Sequence, residues 1–313
     1  MTRIAVIFPG QGSQALGMGV DVANHSTAAR DLFDMAQTVL GYDLLGLQRH
    51  GPEERLRETE YSQPAIFVTN VAIFAALELP PESLIVSAGH SFAEYCSLYA
   101  AQSIGFEDAL RIVNARGIAM QRAAELAAGG MSAVLGMDAA DIRRVVDEVR
   151  TQTGLRVQLA NFNSPGQIVI SGDLRGVQAA GEALLAAGAK RVVPLNVSGA
   201  WHSALMEPAL EHFSHVVEAA TFTLPRFDVV SNVDAQPYRD VATIKKNLVL
   251  SVTHEVRWHE TAERLVGYGL DLIIECGAGP VLGPLMKRLP GAPEVVVVSD
   301  FAGAQKLRNT VTA

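Results

Sequence analysis

A chain of 313 residues, 49% hydrophobic and 19% charged, holds enough apolar material for one large domain or two ordinary ones. Lys plus Arg number 25 against 33 Asp plus Glu, and the net charge of −8 argues against a nucleic-acid-binding surface. The two cysteines, Cys96 and Cys276, are too few and too far apart for a disulfide framework or a paired-cysteine zinc site, and no metal is expected.

Both cysteines are expected as buried thiols in a reducing compartment. The N-terminus "MTRIAVIFPG" lacks the apolar stretch of a signal peptide, and no apolar run approaches a membrane span. The expectation is a soluble cytoplasmic protein that binds neither membrane nor nucleic acid.

In chain order, "IAVIFPG", "LIVSAGHS", "LDLIIECGAG" and "EVVVVSD" read as strands buried on both faces, with helical stretches between them. The pattern is α/β. The middle differs. "MSAVLGM" reads as a strand and "DAADIRRVVDEVRTQ" as a helix. "RVQLANFNSPGQIVISG" reads as two strands around a turn, "DLRGVQAAGEALLAAGA" as a helix and "KRVVPLNVSG" as a last strand. That order, βαββαβ, predicts a ferredoxin-like small domain over 128–198, inserted into a larger α/β domain formed by 1–127 and 199–313.

"GHSFAEY" at 89–95 follows a buried strand and precedes a helix, the context of a nucleophile elbow. The usual fifth-position glycine is Ala93 here. A serine at this place also caps helices, and five residues alone leave the two roles even. A nucleophilic serine needs a base. Eight histidines are candidates, among them His202 in "NVSGAWHSALM"; His90 is expected to be turned elsewhere by the elbow. His254 and His259 are spaced by five, wrong for one helix face. "FPGQGSQ" at 8–14 lacks the lysine of a phosphate loop, so nucleotide binding is weakly supported, whereas Gln11 at a strand end is able to offer donors to a substrate oxygen. In "FEDALRIVNARGIAMQ", Phe106, Leu110, Val113, Gly117 and Met120 form the apolar stripe of a helix, and Arg116 lies on or beside it. An inward guanidinium needs an anion: either an internal carboxylate or a carboxylate on a ligand.

Taken together, "FPGQGSQ", "YSQPAIF", "GHSFAEY", "NARGIAMQ", "ANFNSPGQIVISG", "VSGAWHSALM" and "ECGAGPVLGPLMKR" resemble, in order, the malonyl-CoA:acyl-carrier-protein transacylase family of fatty-acid and polyketide synthesis. The resemblance covers nearly the whole chain. It implies an α/β-hydrolase-like large domain with an inserted ferredoxin-like small one. It implies Ser91 as the acylated nucleophile and His202 as its base, with Gln11 and the Phe92 N–H at the oxyanion hole. Arg116 would pair with the acyl carboxylate, and Gln63, Asn161, Asn163, Trp201 and Ser251 would lie at the substrate site. No bound cofactor is implied. The donor would be malonyl-CoA, the acceptor the phosphopantetheine of an acyl carrier protein, the mechanism ping-pong and the enzyme a monomer.

Three departures stand out. Phe92 and Ala93 replace the more usual Leu and Gly, and Phe92 is expected to narrow or reshape the pocket mouth. Ser251 stands where the family commonly has glutamine, whose backbone carbonyl orients the catalytic histidine. Trp201, beside His202, is expected to disfavour branches at C2 of the acyl group. For an acidic carrier meeting an acidic enzyme, Lys190, Arg191, Lys287 and Arg288 are the candidate docking residues. Two alternatives remain: a transferase or hydrolase for other carrier-bound acyl groups, which would leave Arg116 unpaired, and a catalytically dead docking scaffold.

Overall fold

A computed structural model describes residues 2–312. In chain order its strands are β1 (Ile4–Phe8), β2 (Leu84–Gly89), β3 (Gly129–Leu135), β4 (Val157–Ser164), β5 (Gln167–Asp173), β6 (Arg191–Pro194), β7 (Asp228–Val230), β8 (Leu272–Cys276) and β9 (Glu294–Val298). They form two sheets, one of order β7-β2-β1-β8-β9 and one of order β4-β5-β3-β6.

The first sheet is parallel throughout. Every residue of β1 is buried, and the period of two sends Ile4, Val6 and Phe8 into one core and Ala5 and Ile7 into the other. Helix Thr59–Leu77 lies in the first core with 15 buried residues. Helix Phe106–Leu126 packs on it so closely that a Cβ at Gly117 would sit 2.8 Å from the Thr59 carbonyl oxygen. The whole predicted stripe of that second helix is buried, and Arg116 with it.

β3 to β6 pair antiparallel, with β3 and β5 central, in the ferredoxin-like order. Ile168 and Ile170 of β5 face helices Ala139–Thr153 and Leu174–Ala186, whereas Val169 faces the core of the parallel sheet. One edge of β4 continues into the large unit: Phe162 N–H donates to the Val256 carbonyl at 2.9 Å and Val256 N–H to the Ala160 carbonyl at 2.8 Å. Both cysteines are buried thiols. Among the described residues no helix is long and apolar enough to cross a membrane, and no three His, Cys, Asp or Glu side chains gather as a metal site requires.

Candidate active site

The carboxyl ends of parallel strands are where an open α/β sheet gathers its loops over a crevice. Gln11 follows β1, Ser91 follows β2, Asn232 follows β7 and the segment 277–286 follows β8. A cavity of about 240 Å³ opens there, lined by Gln11, His90, Ser91, Met120, Asn161, Asn163, Trp201, His202 and Leu285, among others. Met131 and Val169 of the antiparallel sheet form its opposite wall.

Ser91 has φ 55°, a left-handed conformation that costs a non-glycine residue energy and that places the side chain at the apex of the turn. Two glycines make the turn possible by close approach. A Cβ at Gly89 would lie 2.0 Å from the Ala93 carbonyl oxygen, and one at Gly10 would lie 2.5 Å from that of His90. Ala93 therefore fits at the fifth position of the motif because the tight contact falls on its backbone.

Ser91 Oγ lies 2.8 Å from His202 Nε2. His202 Nδ1 faces two carbonyl oxygens, Ser251 at 2.7 Å and His254 at 3.1 Å. Both are acceptors, so Nδ1 carries the proton and Nε2 is left to accept from the serine. Ser251 is the C-cap of helix Val241–Leu250, so its carbonyl stands at the negative end of that helix. With the His254 carbonyl it fixes the tautomer, the part an aspartate plays in a Ser-His-Asp triad. Burial, then the positive charge of Arg116, then His90, lower the His202 pKa from 6.5 to about 3, so the resting imidazole is neutral.

Arg116 is 1% exposed and forms no ion pair with any Asp or Glu among the described residues. Its Nη1 donates to Gln63 Oε1 at 3.1 Å, its Nη2 reaches Ser91 Oγ only at 3.5 Å, and its Nε has no partner. Burial lowers its pKa to about 10, leaving it charged at neutral pH. Nε and Nη2 form one edge of the guanidinium, a two-donor fork whose Nη2 end lies beside Ser91 Oγ.

Gln11 Nε2 uses one hydrogen on Thr59 Oγ1 at 3.0 Å and retains a second. The Phe92 N–H donates to no group among the described residues. The Phe92 side chain, however, is 1% exposed and packed in the core. The expectation that it reshapes the pocket mouth is therefore wrong; the left-handed turn at Ser91 sends the next side chain inward. Asn161 and Asn163 line the cavity, and Asn163 Oδ1 accepts from His90 Nε2 at 3.0 Å. His90 also lines the cavity and is kept neutral by burial, although it makes no bond to Ser91 Oγ. Arg116, Gln63 and Ser251 are not among the residues that line it. Gln63 holds Arg116, and Ser251 holds His202 through its backbone while its own hydroxyl donates to the Leu248 carbonyl at 2.8 Å. Trp201 forms part of the wall and packs against Gly199, where a Cβ would lie 2.6 Å from its ring.

A family described as an acyl transferase domain matches residues 6–289. The malonyl CoA-acyl carrier protein transacylase of Bacillus subtilis (strain 168) is 41% identical over 300 residues, 96% of this chain and 94% of that protein. The chain belongs to the malonyl-CoA:acyl-carrier-protein transacylase family. Its fold matches an acyl carrier protein S-malonyltransferase from Vibrio cholerae with a TM-score of 0.91 and 38% identity, covering 98% of this chain and 100% of that one. A malonyl-transacylase solved in complex with its type II PKS acyl-carrier protein matches with a TM-score of 0.92 and 39% identity, covering 99% and 100%.

Within this transacylase fold, one structural device escaped sequence reasoning. Asn232 Oδ1 accepts from the Ser91 N–H at 3.0 Å, and its Nδ2 donates to the Gly89 and Ser91 carbonyls at 3.0 and 3.2 Å. The amide thus clamps the strained turn. Buried Glu94 orients it, accepting from the Asn232 main-chain N–H at 3.1 Å, from Nδ2, and from the Tyr238 hydroxyl. Burial pushes the Glu94 carboxyl above its ordinary range, against the pull of those donors. Glu94 sits inside "GHSFAEY", where a carboxylate in an otherwise apolar turn is a signal; Asn232 follows a three-residue strand and carries none.

The four basic candidates for docking are all exposed. Arg288 donates to Gln167 Oε1 at 3.3 Å, and Gln167 lines the cavity, so this arginine stands at the mouth.

Proposed function

We propose that this enzyme moves a malonyl group from coenzyme A to the phosphopantetheine thiol of an acyl carrier protein, by way of an ester on Ser91. The observation that carries the malonyl assignment is a buried, charged Arg116 beside the serine with no carboxylate partner among the described residues, an Nε without an acceptor and an Nη2 that reaches only Ser91 Oγ at 3.5 Å. A buried guanidinium without an anion is costly, and the carboxylate of a malonyl thioester supplies the missing acceptor.

The geometry supports the following steps. Ser91 Oγ attacks the thioester carbonyl carbon while its proton passes to His202 Nε2. The oxyanion accepts from the Phe92 N–H and from Gln11. The carbon–sulfur bond breaks, and the coenzyme A thiolate takes the proton from His202. The carrier thiol then gives its proton to His202, attacks the ester carbonyl and releases Ser91, which is reprotonated. Lys190, Arg191, Lys287 and Arg288 receive the acidic carrier; the place of Arg288 at the mouth supports this. One chain supplies every group named, so the site requires no second copy.

The test is to mix the protein with malonyl-CoA and a phosphopantetheinylated carrier and weigh both proteins. The expected products are a malonyl ester on a peptide containing Ser91 and a malonylated carrier, with neither in Ser91→Ala. Free malonate without malonyl-carrier would make the protein a hydrolase, and no acylation at all would make it a scaffold.

A further inference from the structure

His202 adopts φ 59°, a left-handed conformation as unusual as that of Ser91. The clamp on the serine is Asn232; the residue that clamps the histidine lies on the other sheet. Gln158 of β4 donates from Nε2 to the His202 carbonyl at 3.2 Å and to the Thr253 carbonyl at 3.3 Å, and its Oε1 accepts from the Ala204 N–H at 3.1 Å. The amide orientation is unambiguous, because a flip would set oxygen against two carbonyls and NH₂ against an N–H. Two separate segments meet on this one side chain. Residues 202–204 carry the imidazole, and residues 251–254 carry the carbonyls that Nδ1 bonds. The β4 backbone holds the second segment again through Val256. Gln158 does not line the cavity.

We infer that Gln158 is a positioning residue, by which the antiparallel sheet holds the His202 imidazole at hydrogen-bond distance from Ser91. The inference rests on the assignment of His202 as the base of an acyl transfer. Without the amide, the His202 carbonyl and the Ala204 N–H lose their common partner. The histidine turn is then free to shift relative to the carbonyls that set its tautomer. A misplacement on the order of 1 Å at a reacting group costs about 100-fold in rate. Binding of malonyl-CoA, which depends on Arg116 and the cavity walls, is left in place.

The experiment is single-turnover acylation of Ser91 by malonyl-CoA, followed by rapid quench and intact mass. It compares wild type, Gln158→Leu, Gln158→Glu, His202→Ala and the double variant His202→Ala with Gln158→Leu, with Tm measured for each. Gln158→Leu is expected to acylate about 10- to 100-fold more slowly, with the half-saturating malonyl-CoA concentration changed by less than about 3-fold. Gln158→Glu keeps the length and the acceptor for Ala204 but turns oxygen toward two carbonyls; it is expected to be as slow. If the leucine variant fails to fold, the glutamate variant decides.

Because Gln158 acts through His202, the double variant should be no slower than His202→Ala alone. Folded Leu and Glu variants with wild-type acylation rates would overturn the inference. So would a double variant slowed by the full single-variant factor, which marks a general structural role. If His202→Ala itself acylates at the wild-type rate, the assignment of the base fails, and this inference falls with it.

Discussion

Replacing Arg116 by alanine removes a buried guanidinium that lies beside Ser91 and pairs with no carboxylate among the described residues. Of its donors, Nη1 is occupied by Gln63, Nη2 has only a 3.5 Å contact to Ser91 Oγ to give up, and Nε has no partner. A hydrogen bond to a charged group contributes about 1.5–3 kcal/mol. One bond therefore corresponds to roughly one to two powers of ten in kcat/KM for malonyl-CoA, and two bonds, if additive, set an upper bound of about 3–6 kcal/mol. A neutral acetyl group gains nothing from the fork, and it leaves the guanidinium buried and unpaired. Arg116→Ala should therefore depress malonyl transfer by about 10- to 1,000-fold while acetyl transfer holds or rises. Arg116→Lys keeps the charge but loses the parallel pair of donors, and should fall between. The assay is kcat/KM for malonyl-, methylmalonyl- and acetyl-CoA in all three proteins. Wild-type preference for acetyl-CoA, or an unchanged malonyl preference in Arg116→Ala, would refute the argument and leave Arg116 as a structural residue.

Because His202 is lowered to about 3 in the folded protein, its neutral form persists as pH falls and is lost only near that value. The acylation kcat/KM should thus show no loss around the ordinary histidine pKa of about 6.5, and Arg116→Ala, which removes one cause of the lowering, should move the acid limb upward. Asn232→Ala leaves the Ser91 N–H and two buried carbonyls without their partner; unfolding should become easier by about 1–3 kcal/mol, and Ser91 acylation should slow, read by denaturant titration and rapid quench. Trp201→Ser should admit a methyl at C2, seen as a higher methylmalonyl-to-malonyl ratio of kcat/KM. Reversing charge at Lys287 and Arg288 should raise KM for the carrier and spare self-acylation from malonyl-CoA, with added salt imitating the change.

The amino-acid sequence by itself determined what depends on near neighbours in the chain. Unbroken apolar runs announced strands buried on both faces, and the βαββαβ order announced the second sheet, because side-chain periods of 2 and 3.6 are local geometry. The same arithmetic put Arg116 on or beside the buried face of its helix, and the strand–turn–helix context left Ser91 as either a nucleophile at a turn or a helix cap. What composition and periodicity had no means of deciding was which of eight histidines meets that serine. His202 stands 111 residues away, and the order of strands and the packing of the β3–β6 sheet bring the two together. Only a resemblance to other chains named it in advance. The acceptors for its Nδ1 are main-chain carbonyls, which every residue possesses and no residue type advertises. Gln158 and Asn232 are single amides whose importance lies in what surrounds them. The direction of the Phe92 side chain depends on a backbone angle at Ser91, and that angle is set by contacts at Gly10, Gly89 and Asn232, far apart in sequence and joined only by the folded sheet.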